Sequence, residues 1–189
     1  MAESSADALG EHLAVSARAE ELLPAVDVVG RLLVERLGAG NRVYTFGNGG
    51  SAVDANHFAE ELVGRFKRER RPLPAQSLSV DAAALTCIAN DYSFEEVFER
   101  QVRAFVGPGD VVVAFSTSGR SPNVVRGLAA AREAGAVTVL LGGAEGGPAA
   151  SHADHALLVP SAATARVQEL HVFFVHVLIE QVDAWAAAS

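Results

Sequence analysis

The feature that most constrains this chain is an unbroken apolar run that stops on a loop of hydroxyls. Residues 111–115 read Val-Val-Val-Ala-Phe, and Ser116-Thr117-Ser118-Gly119-Arg120-Ser121 follows at once. A strand with no polar alternation is one covered on both faces, as in a parallel sheet. Residues 137–141 and 155–159 repeat the pattern, and 42–46 and 75–79 give two further short strands. Between them lie stretches that read as helix: 52–65, 82–90, 94–105, one ending near Ala134 with Gly135 as its C-cap, and a long one over 163–187. Strands alternating with helices at this spacing predict an α/β fold, a three-layer sandwich in which a five-stranded parallel sheet is flanked by helices.

Ahead of the first strand, residues 11–37 read as helix, in two pieces if Pro24 opens a second one. Leu22, Val26, Val29, Leu32, Leu33 and Leu37 recur there at helical spacing. The expected organisation is one domain over 1–189, with an N-terminal helical arm over 1–40 and an α/β core over 41–189. The arm is apolar enough to pack on a partner subunit or on its own domain, and the sequence leaves both open.

Charge excludes some partners. Fifteen Lys and Arg stand against 23 Asp and Glu, a net charge of −8 over 189 residues. Such a balance argues against non-specific nucleic-acid binding and against anionic membranes. The basic cluster Arg65, Lys67, Arg68, Arg70 and Arg71 is interrupted by Glu69 and reads as a solvated loop or subunit contact. A single cysteine, Cys87, cannot pair within the chain, so a reducing, cytoplasmic setting is expected, with Cys87 as a small core residue. No uninterrupted apolar run approaches a membrane span, and the first nine residues lack the pattern of a signal peptide.

In open parallel sheets, ligands bind outside the carboxyl ends of the strands. Two loops fall there. Gly47-Asn48-Gly49-Gly50-Ser51 offers glycines for close approach and a helix N-terminus with free N–H groups. The loop 116–121 adds the hydroxyls of Ser116, Thr117, Ser118 and Ser121 at a second helix start. Amides and hydroxyls together suit a phosphate monoester and need no lysine. Each loop alone could be a cap or tight turn; two of them after buried strands point to a ligand. Gly47, Gly49 and Ala52 also match the G-x-G-x-x-A dinucleotide fingerprint, with Asp81 placed as a ribose acid. The hydroxyl loop lies outside that fingerprint.

The helix after the first loop carries His57 and Glu61 one turn apart on one face, a pairing that can hold a metal or act as acid and base; Glu60 beside them reads as surface. The last helix carries Gln168, His171 and His176, with Gln168 and His176 roughly on one side of the helix. His176 sits in a run apolar enough to require a partner for the imidazole, if only a backbone carbonyl. His152 and His155 read as surface residues.

These segments, taken together, resemble a family. Gly47-Asn48-Gly49-Gly50-Ser51, Asp54, His57-Phe58-Ala59-Glu60-Glu61-Leu62, Gly64-Arg65-Phe66 and Ile88-Ala89-Asn90-Asp91-Tyr92 are similar to phosphoheptose isomerases of the sugar-isomerase (SIS) fold. So are Gly109-Asp110, Ser116-Thr117-Ser118-Gly119 and Thr164-Ala165-Arg166-Val167-Gln168-Glu169, followed by His171 and His176. The resemblance implies conversion of sedoheptulose 7-phosphate to D-glycero-D-manno-heptose 7-phosphate, toward nucleotide-activated heptose. It implies substrate contacts at Asn48, Gly49, Gly50, Ser51, Glu61, Asn90, Asp91, Ser116, Thr117, Ser118, Ser121 and Gln168. It implies a zinc site on His57, Glu61, Gln168 and His176, and a homotetramer with sites at subunit interfaces. Glu61 as base and His176 as its acid partner would suit an enediolate reaction. Arg120 and Pro122 depart from the family's usual residues, and Ala165 stands where some members carry Asp. Two rival readings stay open: an isomerase of another sugar phosphate, and a non-catalytic SIS protein that binds phosphosugars or the DnaA initiator. Relatives of the latter kind replace the acid–base residues present here as Glu61 and His176.

Overall fold

The computed structural model describes residues 4–188, so the extreme ends of the expected 1–189 domain lie outside the described residues. Two helices come first, α1 (Ser5–Ala19) and α2 (Leu23–Gly38), joined by a 3₁₀ turn at Glu20–Leu22. Ser4 caps α1 through a reciprocal pair with Asp7, and Pro24 lies in the first turn of α2. The core then alternates β1 (Val43–Gly47), α3 (Gly50–Val63), β2 (Ala75–Ser77), α4 (Ala82–Asp91), α5 (Glu99–Phe105), β3 (Val111–Ser116), α6 (Pro122–Glu133), β4 (Val137–Gly143), β5 (His155–Val159) and α7 (Thr164–Ala188). The five strands form one parallel sheet in the order β2-β1-β3-β4-β5. The expected architecture stands. β2 is shorter than the expected 75–79, because the chain leaves the sheet at Leu78, whose N–H still reaches the Thr45 carbonyl.

Alternate residues of each strand build opposite cores, as the strand period requires. Val43, Val111, Val113, Phe115, Val139 and Leu141 pack beneath α2, α3 and α7. Tyr44, Phe46, Val112, Ala114 and Leu140 pack against α5 and α6. Gly127 of α6 is a glycine because a side chain there would meet the Phe46 ring at 2.8 Å.

The arm packs on its own domain. α2 buries Val26, Val29, Leu33 and Leu37 in the first core, and α1 adds Val15 and Ala19. His12 Nδ1 meets Glu169 at 2.7 Å, Arg166 donates to the Ala8 carbonyl, and Arg18 donates to the Pro160 carbonyl. Leu9 and Leu13 remain exposed on α1. α7 spans 25 residues and is long and apolar enough to cross a membrane by length and composition, but half of that stretch is buried as the central helix of the first core.

Three sequence expectations need correction. Cys87 is exposed on α4, beside Asp91, because among the described residues nothing covers the face of the helix that carries it. His152 and His155 are half-buried at the edge of β4 and β5. The basic cluster is only partly solvated. The Arg70 side chain is 0% exposed and pairs with Asp183 at 3.2 Å. Its guanidinium also donates to the carbonyls of Glu61, Leu62 and Gly64, closing the C-terminus of α3. Arg70→Ala takes from the buried Asp183 carboxylate its closest cation and leaves it the Arg68 N–H at 3.1 Å and the Arg68 guanidinium at 4.0 Å. We expect a loss of about 3–5 kcal/mol, read as a lower urea midpoint with an unchanged slope.

Candidate functional site

At the carboxyl edge of the sheet, β1, β3 and the turn after β5 lead into three helices whose N-termini face one cavity of about 240 Å³. α3 contributes Asn48, Gly50 and Ser51; the loop after β3 contributes Ser116, Thr117, Ser118 and Ser121; α7 contributes Thr164 and Gln168. The first N–H groups of each helix have no intrahelical partner, so their amides and dipoles favour an anion here. Among the described residues, no Lys, Arg, Asp or Glu lines this cavity.

Local sequence explains the cradle's shape. Gly47 allows a close approach, since a Cβ would lie 2.6 Å from the Ser51 carbonyl. Gly49 turns the chain into α3 with φ of 56°, a left-handed conformation that suits glycine. Gly119 has φ of 61°, and a Cβ there would meet the Gly146 carbonyl at 1.7 Å. Ser116 Oγ accepts from the Gly119 N–H at 3.1 Å, and Ser118 Oγ accepts from the Arg120 N–H at 3.2 Å. Both hydroxyls therefore keep a donor proton for a ligand. Ser121 starts α6 without a side-chain capping bond. Asn48 and Asn123 exchange amide hydrogen bonds at 2.8 and 2.9 Å, tying the first loop to α6.

A second group lies farther along the same pair of helices. His57 Nε2 is 3.4 Å from Glu61 Oε1. The His176 ring stands edge-on to His57, with centroids 5.1 Å apart, and stacks on Phe66 at 5.7 Å. His57, Glu60 and Glu61 each bring one ligand atom within 4.8 Å of the others, so Glu60 belongs to this group rather than to the surface alone. His57 follows Gly50 by two turns of α3, about 10 Å, and His176 follows Gln168 by two turns of α7, about 12 Å. Gln168 itself presses on Gly50, where a Cβ would be 2.3 Å from its Nε2. Within one chain, then, the four expected zinc ligands divide: three sit together and Gln168 sits in the cradle.

Asn90 and Asp91 join neither group. They are exposed at the end of α4, where Asn90 Nδ2 donates to Asp91 Oδ1 at 2.8 Å. Arg120 faces a neighbouring cavity of about 340 Å³ with Glu145, on the other side of Thr117, Ser118 and Thr164. Asp81 caps α4 by accepting from the Ala84 N–H at 3.0 Å, which employs the residue the dinucleotide reading needs as a ribose ligand.

Sequence reasoning missed three features. Thr164 and the third helix start were visible as a family segment and a helix boundary, not as part of the cradle. The Asn48–Asn123 exchange joins residues 75 positions apart. The third is electrostatic. Burial pushes the Asp54 carboxyl up to about 6, partly offset by His57, and burial pushes His171 down to about 4, partly offset by its bond to the Gly142 carbonyl.

Comparison with known proteins agrees with this geometry. Residues 11–143 match the family model described as SIS domain. A phosphoheptose isomerase of Aquifex aeolicus (strain VF5) is 52% identical over 158 residues, covering 84% of this chain and 82% of that protein. The structure of phosphoheptose isomerase GmhA from Neisseria gonorrhoeae superposes with a TM-score of 0.89 at 38% identity, covering 95% of this chain and 96% of that one. That of a phosphoheptose isomerase from Francisella tularensis gives 0.88 at 33% identity, covering 96% and 100%.

The cradle can be tested with inorganic phosphate. Ser121→Ala removes a hydroxyl that makes no capping bond, so the fold should persist. Loss of one hydrogen bond to a charged ligand should weaken phosphate binding about tenfold, measured by calorimetric titration.

Proposed function

We propose the function of this chain from one premise: it belongs to the SIS-domain family, and within it to the phosphoheptose isomerases. It is an aldose–ketose isomerase that converts sedoheptulose 7-phosphate to D-glycero-D-manno-heptose 7-phosphate for heptose synthesis. The observation that carries this reading is the pairing of an uncharged phosphate cradle with a carboxylate–imidazole cluster on the same two helices.

The chemistry follows from the residues. The cradle takes the terminal phosphate, whose charge meets helix N–H groups and the hydroxyls of Ser116, Thr117, Ser118 and Ser121. Glu61 removes a proton from C1 of the ketose, giving a cis-enediolate across C1 and C2, and returns a proton at C2. His176 passes a proton between the two oxygens. His57, touching both, orients Glu61 through the 3.4 Å contact. Gln168, on the wall of the cradle, positions the sugar.

The donors of His57, Glu60 and Glu61 lie close enough to share one ion, and the His176 imidazole beside His57 suits zinc in type. Zinc bound there would polarise the sugar carbonyl. Gln168 could complete such a set only by reaching about two helical turns or by coming from another subunit. A homotetramer with sites at subunit interfaces is the assembly we favour. α4 supports it: none of its residues is buried, Leu85 and Ile88 are half-covered, and Tyr92 and Phe94 beyond it are exposed. A covering subunit would enclose that face together with Asn90 and Asp91. The cytoplasm is the setting we assign.

Incubation with ketose phosphates of five, six and seven carbons tests the substrate. Turnover should be confined to the seven-carbon ketose; turnover of a shorter one reassigns the substrate, and binding without turnover of any makes the chain a sensor. Glu61→Gln and His176→Ala should each lower kcat by at least a thousandfold with the circular dichroism spectrum unchanged. Retained activity in either removes that residue from the proton transfers. Metal analysis of the purified protein should find about one zinc per chain, and chelation should lower activity.

A further inference from the structure

Between the cradle and the acid–base cluster lies a buried pair that the proposed chemistry does not use. Asp54 follows the Gly50–Ser51 start of α3 by one turn, and His171 follows Gln168 by one turn of α7. His171 is 0% exposed and Asp54 7%. His171 Nε2 lies 3.2 Å from the Gly142 carbonyl, which can only accept, so Nε2 carries its hydrogen. In a neutral ring Nδ1 then holds a lone pair. It faces Asp54 Oδ2 at 4.0 Å, and neither atom has a hydrogen-bond partner. Phe115 stands edge-on to the imidazole and helps close the site to water. Two buried acceptors facing each other with no hydrogen between them is an arrangement that folded proteins avoid.

We propose that Asp54 and His171 hold one shared proton, and that the resulting hydrogen-bonded pair consists of positioning residues that fix α3 against α7. The proton sits on Asp54 Oδ2 and is donated to Nδ1, or sits on Nδ1 and is donated to the carboxylate. Either placement satisfies both orphaned atoms. Bond formation brings the two atoms about 1 Å closer than they stand here. Burial favours the uncharged form of each group, in keeping with an acid hydroxyl donating to a neutral ring. The pair lies where it governs both halves of the site. It sets the contact of Gln168 with Gly50 on one side and the meeting of His57 with His176 on the other. The shared proton stands on geometry alone; the positioning role rests on the proposed function.

Nitrogen-15 NMR of the full chain labelled at histidine tests this, with His171→Gln identifying the signals. The His171 Nδ1 resonance should lie away from the free pyridine-type position, move to that position in Asp54→Leu, and stay displaced in Asp54→Asn, whose amide can donate in place of the acid. In the isomerase assay, Asp54→Asn should keep kcat within about threefold, while Asp54→Leu should lose at least about tenfold in kcat. A free pyridine-type Nδ1 in the unsubstituted protein overturns the shared proton, and that measurement needs no variant at position 54 to fold. Equal loss of kcat in the Asn and Leu variants overturns positioning through a donated hydrogen. A displaced Nδ1 in a chain that turns over no sugar phosphate upholds the pair and refutes the isomerase reading instead.

Discussion

Everything at the site depends on the polarity of the sheet. Because β1, β3, β4 and β5 run parallel, every following helix begins at the same edge. Three of those beginnings, at Gly50, Ser121 and Thr164, meet around one cavity. An antiparallel neighbour would have sent one helix start to the far edge and left two dipoles rather than three. The buried apolar strands hold the loops at fixed height, and the glycines at 47 and 119 let backbone meet backbone where a Cβ would clash. The candidate anion site is therefore a property of the fold's direction and of a few missing methyl groups, more than of any charged side chain.

The second constraint is the pairing of α3 with α7. Along this seam lie the Gln168–Gly50 contact, the Asp54–His171 pair, the His57–His176 rings and finally Arg70 with Asp183. Polar groups thus recur along an interface otherwise filled by Phe58, Leu62, Phe174 and Leu178. Apolar packing supplies attraction without a fixed register; directional groups along the seam define one. The proposed chemistry needs that register, because a shift of one turn would carry His176 past His57.

The cradle was legible in the sequence because its signals are local. A buried strand that ends on glycines or serines before a helix states where a ligand would lie, and both loops lie where that reading put them. The pairing of His57 with Glu61 was legible for the same reason, being one turn of one helix. What escaped was long-range or depended on what covers a surface. Arg70 read as one more cation in a basic run, since composition does not distinguish a solvated guanidinium from one folded onto a helix end. Cys87 read as core because a lone cysteine behaves as a small apolar residue, yet among the described residues nothing lies over its face of α4. Asn90 and Asp91 were marked only by family resemblance, and the single chain leaves them outside both groups. Gln168 and His176 share a helix side, as the spacing indicates, and stand two turns apart on it.

The uncharged lining of the cavity has a kinetic consequence. A protein of net charge −8 does not draw an anionic metabolite in from a distance, and no lysine or arginine in the cavity walls offsets that field. Encounter proceeds without long-range attraction, and discrimination begins only when the ligand's oxygens come within reach of oriented dipoles. Selection of this kind rests on short-range geometry, and the dipole part of it weakens as salt rises.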